Sequence, residues 1–379
     1  MDVHDIELLI PGPIPVSDQV REIMGQQVVQ HYGPDWMPGY ERFLSRLRRV
    51  FVTAGSVYPI PASGSGGLDA MIGSLLGQDG KAGVIANGFF GNRVVEIARS
   101  YSANVEVLEI PWDRAADPDD VRRWVRTHKL PLVVVVHSDT STGVLNPVPE
   151  IAAAVRGDGC VLAVDAVSSL GGAPVETDKW GLAAVATASQ KCLETPPGLA
   201  PIAITKTGWE IIDRQPQGRG WYLNVRTWRR FERDWAEHHP YPVTIPGNLI
   251  LALDRALQLI LDEGLEKRFE RHRRAQATIR EGLERLGFRL FVDVRWASPT
   301  VTVAYPPAGV SAAGLMRSMR AHGFAIAGGL EQMAGKAIRI GHLGTQAHPE
   351  LMRRVVDALE ACLREGVPAP ADRRRPATR

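Results

Sequence analysis

Short, unbroken apolar runs alternate with longer amphipathic stretches through much of the chain. Residues 82–86, 105–110, 132–137, 161–167 and 199–205 are largely apolar, with β-branched side chains and no strict polar alternation. That pattern predicts strands covered on both faces, as in a mostly parallel sheet. Between them, residues 68–76, 91–101, 118–128 and 149–156 carry apolar positions at helical spacing. The third of these helices has a clear start, with Asp117 as cap and Pro118 in the first turn. Strand and helix in such repetition predict an α/β fold.

The pattern changes near residue 250. Residues 248–263 and 265–286 predict two long helices, the second carrying Arg and Glu on its outer face. Strand-like segments at 288–293, 300–305 and 337–342 then mix with helices at 311–322 and 349–364, which predicts a smaller α+β domain. The expected organisation is an N-terminal arm over 1–20, a large domain over 21–255 and a small domain over 256–366. The tail 367–379, rich in Pro, Ala and Arg without periodicity, reads as disordered.

The 379 residues suggest two or three domains, at about 150 residues each. With 45% hydrophobic and 23% charged residues, the chain has material for a large core. The 44 Lys and Arg nearly balance 42 Asp and Glu, so bulk charge gives no reason to expect a nucleic-acid partner. Cys160, Cys192 and Cys362 are too scattered for a disulfide framework or a zinc site. No apolar run reaches the roughly 18 residues that a membrane span needs. The acidic start Met1-Asp2-Val3-His4-Asp5 lacks the features of a secretory signal. A cytoplasmic enzyme or binding protein is expected, with no membrane partner and no metal.

Four segments could carry chemistry. Ser63-Gly64-Ser65-Gly66-Gly67 precedes a helical run, where backbone N–H groups and a hydroxyl can close around a phosphate. A flexible turn is the alternative. Asp165 ends a buried strand, where α/β folds place ligand contacts, although a structural salt bridge would also satisfy it. Lys191, in Ser189-Gln190-Lys191-Cys192 ahead of Pro196-Pro197-Gly198, could be desolvated enough to act as an amine nucleophile. A solvated surface lysine is the commoner case. His137-Ser138-Asp139-Thr140-Ser141-Thr142-Gly143 clusters hydroxyls at a strand end, suited to a polar ligand or to a turn.

Together and in this order, these segments resemble the class V group of fold-type I pyridoxal-phosphate aminotransferases, of the serine–pyruvate and alanine–glyoxylate type. The resemblance begins at Pro11-Gly12-Pro13. It runs through the Ser63 segment, Asn87-Gly88-Phe89-Phe90-Gly91-Asn92-Arg93, Thr140-Ser141-Thr142-Gly143 and Asp165-Ala166-Val167-Ser168-Ser169. Ser189-Gln190-Lys191-Cys192-Leu193, Pro196-Pro197-Gly198-Leu199 and Arg339-Ile340-Gly341 complete it, so it covers nearly the whole chain. It implies a large domain built on a mostly parallel sheet that binds pyridoxal 5'-phosphate, with a smaller C-terminal α+β domain.

By this resemblance Lys191 holds the cofactor as an internal aldimine and shuttles the substrate α-proton. Asp165 pairs with the pyridine nitrogen and keeps it protonated. Phe90 stacks on the ring, where the family often has Trp, and Val167 packs on the opposite face. Ser65, Gly66 and Gly67 bind the phosphate with help from Gln190; some relatives carry His at the Gly67 position. Thr140 reaches the phenolic oxygen. Tyr241 and Thr244 reach the phosphate of a neighbouring subunit, which implies a homodimer with shared active sites. Arg339 clamps the substrate α-carboxylate through two parallel hydrogen bonds, with Gly12 offering backbone contact nearby.

No second Arg stands at a matched position, so small amino donors such as alanine, serine or glycine are expected, with glyoxylate or pyruvate as acceptor. The cofactor residues would look the same in a 2-aminoethylphosphonate or ureidoglycine aminotransferase, or in a lyase on this fold. A cysteine desulfurase needs a mobile Cys in the second domain, whereas Cys362 lies in the last predicted helix. A binding module without catalysis would have no use for a proton-shuttling lysine. Trp221 and Tyr222 could line a substrate entrance or simply pack, and the pair His238-His239 lacks acidic or thiol ligands at metal spacing.

Overall fold

The computed structural model describes residues 6–77, 79–215 and 220–367. Seven strands form the main sheet: β1 (Ser56–Ala62), β2 (Ala82–Ala86), β3 (Val105–Glu109), β4 (Leu132–Val136), β5 (Val161–Asp165), β6 (Ala184–Ala186) and β7 (Gly198–Ile204). Their spatial order is β1-β7-β6-β5-β4-β2-β3. Neighbours from β6 to β3 pair in parallel, whereas β7 runs antiparallel to both β6 and β1. The Val-rich β4 is buried along its whole length, as continuous β-branched character requires at the centre of a covered sheet.

Two strands escape the sequence pattern. In β1, Pro59 and Pro61 interrupt the apolar run, and an edge strand tolerates the N–H groups they lack. β6 has only three residues, too short to show a period. The strand-to-helix crossovers bring the C-terminal ends of the parallel strands to one edge of the sheet, where such folds gather ligand contacts. At that edge β1 runs into helix α1 (Gly64–Leu76), and β2 leads into α2 (Phe89–Tyr101). β5 delivers Asp165 there, and β7 departs just after the loop that carries Lys191.

Helix α3 (Gly247–Glu263) packs its apolar face on the main core, and α4 (Leu265–Arg285) begins a second one. The two cores change over near Gly264, so the division expected at 255/256 falls inside α3. The second sheet holds β8 (Arg289–Leu290), β9 (Val301–Tyr305), β10 (Ala327–Gly328) and β11 (Ile338–Gly341) in the order β8-β9-β11-β10, all antiparallel. The strand expected at 288–293 shortens to two residues. Helix α5 (Pro349–Glu365) lies against α4 and closes this core. Near the N-terminus, Glu7–Leu8 pairs in parallel with Phe324–Ala325 in a separate two-stranded ladder, and the Leu9 carbonyl accepts 2.6 Å from the Gly341 N–H of β11, so the arm is tied to the second core before it crosses to the first sheet. All but the first residue of the 367–379 tail lies outside the described residues.

Ser63 caps α1, its hydroxyl accepting from the Gly66 N–H. A Cβ at Gly67 would stand 2.7 Å from the Ala200 Cβ on β7, closer than packed carbons come. Gly67→Ala should therefore cost about 1–3 kcal/mol by pushing the helix start off the sheet. Urea denaturation measures this, and an unchanged midpoint would mean the helix start is free to shift.

Candidate active site

A cavity of about 250 Å³ opens at this edge of the sheet. Each wall comes from a different element. Ser63, Gly64 and Ser65 form one side at the α1 N-terminus, and Phe90 and Arg93 form another from the first turns of α2. Asp165 and Val167 stand at the end of β5, Thr140 on the loop after β4, and Gln190 and Lys191 on the loop before β7.

Lys191 is half-buried in the cavity wall. Its Nζ donates to the Pro11 carbonyl, so the N-terminal arm caps the amine. Gly12, with φ of 92°, lies alongside, and a Cβ there would sit 2.6 Å from Nζ. Only glycine fits both this backbone conformation and this approach. Burial lowers the Lys191 pKa from 10.5 to about 8, with Arg339 and Arg93 pushing the same way.

Asp165 is buried and accepts 2.8 Å from the Val167 N–H. It has no ion-pair partner among the described residues. Burial raises its pKa to about 7, and the neighbouring Asp139 adds repulsion. Asp139, fully buried, accepts from the N–H groups of Phe90 (3.0 Å), Gly91 (3.1 Å) and Ser141 (2.9 Å). Its carboxylate thereby holds the start of α2, and with it the Phe90 ring, against the loop that carries Thr140. The Thr140 carbonyl accepts 3.1 Å from Arg339, whose Nε donates 2.7 Å to the Gly328 carbonyl. Arg339 thus reaches over from β11 with backbone oxygens as partners and no carboxylate among the described residues.

Behind Lys191 lies a buried ion network. Arg268 on α4, with its side chain 2% exposed, contacts Glu194 at 2.5 Å and Glu263 at 2.9 Å. It also donates 2.7 Å to the Gly171 carbonyl and 2.9 Å to that of Cys192. Next along α4, His272 accepts 2.9 Å from the Gly344 N–H, just past β11. Burial and the adjacent Arg268 hold this imidazole well below its ordinary pKa. One helix of the second core therefore fixes both the lysine loop and the end of the Arg339 strand.

Of the residues singled out in the sequence, Ser65, Phe90, Thr140, Asp165, Val167, Gln190 and Lys191 line the cavity. Gly66 and Gly67 stand behind it, and the Gly67 N–H is engaged by the Ser63 carbonyl. Tyr241 and Thr244 do not reach it. Tyr241 is buried, with its hydroxyl donating to the His31 carbonyl, and Thr244 is exposed. His238 and His239 pack with the rings of His31, Tyr32 and Tyr241. The Tyr222 hydroxyl donates 2.7 Å to Pro61, and Trp221 meets Phe231 edge-on. Cys362 is buried beside Met319 in the second core, away from the cavity.

Arg93 and Asp139 carry no expected role from the sequence, although they lie within the segments 87–93 and 137–143. Arg93 places a second guanidinium on the cavity wall, on α2 rather than at the matched substrate position. Only an aromatic neighbour and the helical spacing from Phe90 could have hinted at it.

These groups fit pyridoxal phosphate. A buried carboxylate without a cation suits a pyridinium nitrogen, and a half-buried amine of lowered pKa suits an aldehyde. The Gln190 side-chain oxygen is buried without a hydrogen-bond partner, as a polar ligand site leaves it.

The class-V aminotransferase family matches residues 63–345. An uncharacterized aminotransferase of Methanocaldococcus jannaschii is 34% identical over 94% of this chain and 92% of its own. The (S)-ureidoglycine–glyoxylate transaminase of Bacillus subtilis is 31% identical over 94% of this chain and 90% of its own. The crystal structure of alanine–glyoxylate aminotransferase from Nostoc superimposes with a TM-score of 0.90 at 30% identity, covering 96% of both chains.

The neutral amine is the nucleophile, and its fraction rises with pH through the pKa. Protein stripped of cofactor should therefore react with pyridoxal phosphate at a rate that climbs through pH about 8 and then levels off. Stopped-flow absorbance measures this. A rate still climbing near pH ~10, where exposed lysines titrate, would put the amine in water.

Proposed function

Because the chain belongs to the class-V aminotransferase family and is a pyridoxal-phosphate-dependent transaminase, we propose that it moves the amino group of a small amino acid, of the alanine, serine or glycine type, to glyoxylate or pyruvate. The observation that carries this reading is the half-buried Lys191 amine, near enough to feel both the buried Asp165 and an Arg339 guanidinium that no carboxylate neutralises among the described residues. The glyoxylate named in two of the relatives' activities supports the acceptor.

Lys191, Asp165, Phe90, Val167, Thr140, Ser65 and Gln190 would hold the cofactor, which supplies an electron sink for charge developing at the substrate α-carbon. Asp165 regains a low pKa once a cation faces it, and so keeps the ring nitrogen protonated. Lys191 Nζ accepts the α-proton, a task suited to an amine that titrates near the working pH. Arg339 binds the α-carboxylate through N–H groups not taken by Gly328 and Thr140, which fixes the α-carbon beside Nζ. Enclosure by the arm keeps bulk water from competing for that proton.

The same reading makes the protein a cytoplasmic homodimer in which Thr244 reaches the partner's phosphate, while Tyr241, expected to join it, is buried with its hydroxyl on the His31 carbonyl of its own chain. The exposure of Thr244 and of nearby Val28, Val29 and Tyr32 supports an interface on this face. No described helix is long and apolar enough to cross a membrane.

Loaded enzyme mixed with single amino acids should lose its cofactor absorbance with alanine, serine or glycine and regain it with glyoxylate or pyruvate. Arg339→Ala should weaken binding of every carboxylate substrate by about 1.5–3 kcal/mol. No spectral change with any of these donors would overturn the substrate reading. For the shared site, subunits carrying Lys191→Ala mixed with subunits carrying Thr244→Ala should form hybrids containing one site with both lesions and one with neither. Activity returning on mixing is the expected result, and its absence in verified hybrids would remove the crossing.

A further inference from the structure

A phosphate monoester brings nearly two negative charges into a site. None of the groups assigned to it above is cationic. Ser65, Gly66, Gly67, Gln190, Tyr241 and Thr244 offer only neutral donors. Three charged side chains line the cavity: Asp165, Lys191 and Arg93. The lysine is committed to the aldehyde, so one cation is left without a task.

Arg93 lies one turn into α2 and points back toward the start of α1, where a guanidinium nitrogen stands 3.4 Å from Ser65 Oγ. Its guanidinium carbon sits 4.9 Å from the ring centroids of both Phe89 and Phe90. No carboxylate pairs with it among the described residues. Packing against two rings fixes the plane of the guanidinium without using up its N–H donors. The donors are then free for an anion held by the N–H groups of the facing helix.

We propose that Arg93 is the cationic ligand of the cofactor phosphate, gripping it from α2 while the α1 N-terminus holds the other side. Position favours the phosphate over a substrate carboxylate. Arg93 meets the Ser65 hydroxyl of the α1 start, whereas Arg339 lies against Thr140 and Gly328. Gly67 explains why the charge comes from α2. With Ala200 against its Cα, the α1 start has no room for a side chain at that position. The inference rests on the reading that the phosphate lies at the α1 N-terminus.

The test compares pyridoxal phosphate with pyridoxal, which carries the same aldehyde and ring without the phosphate. Cofactor is removed from the purified enzyme, and the Kd of each compound is measured for wild type, Arg93→Gln and Arg93→Lys. Arg93→Gln should weaken pyridoxal phosphate about 10- to 100-fold and leave pyridoxal unchanged. Arg93→Lys, keeping the charge, should recover part of the loss. Equal loss for both compounds would overturn the proposal, because Arg93 would then act through the Phe90 ring or the fold. So would unchanged cofactor binding with weakened binding of succinate, which would make Arg93 a substrate group. Wild type that binds both compounds equally would remove the phosphate site itself, a failure distinct from that of Arg93 alone.

Discussion

A lysine amine drawn partly out of water at the end of a β-sheet cannot keep its ordinary affinity for a proton, and much of the architecture around Lys191 keeps it covered. The Pro11 carbonyl and Gly12 cover Nζ, which requires the arm to lie in one place. The arm is held by its pairing with Phe324–Ala325 and by the Gly341 N–H of the second sheet, which donates 2.6 Å to the Leu9 carbonyl. It is held again where Gln346 donates 2.7 Å to the Leu8 carbonyl and Thr345 donates 2.8 Å to that of Pro15. Chemistry in the first sheet therefore depends on the second.

The Arg268 network works from the other side. A guanidinium buried this deeply would be costly unpaired, and two carboxylates with two backbone carbonyls offset that cost. Because one of those carbonyls belongs to Cys192, the residue after the lysine, the network fixes the loop's path. Glu194 adopts a left-handed backbone at φ 57°, an arrangement that a non-glycine residue keeps only when its surroundings hold it there. Rigid walls of this kind let a small cavity present its amine and acid in fixed relation.

Charge inside the cavity is arranged to be completed by a ligand. Asp165 lacks a cation, while Arg93 and Arg339 lack carboxylates among the described residues. Asp139 has its four hydrogen bonds but remains a second buried acid close to Asp165. Each unpaired charge carries a desolvation cost that a complementary group relieves. A zwitterionic cofactor with an anionic phosphate and a cationic ring matches that distribution better than any apolar molecule would.

Local pattern decided a great deal. Five of the main-sheet strands and the helices between them follow from apolar runs and spacing, because a strand buried on both faces must be apolar throughout. The motifs around Asp165 and Lys191 were legible for a related reason: Asp165 ends one such strand and Lys191 stands on the loop that enters another, both at the sheet edge. The proline-broken β1 and the three-residue β6 were not legible, since only the partner strands complete them. Nor were the pairings that span long stretches of chain, such as Arg93 with Ser65, Asp139 with the start of α2, Arg268 with the lysine loop, and Gly12 under the amine. The sequence determined which residues could be reactive and on which element each would stand. Tertiary structure alone decided which charges were left unpaired and which side chains had room, because both depend on what packing brings against a residue from elsewhere.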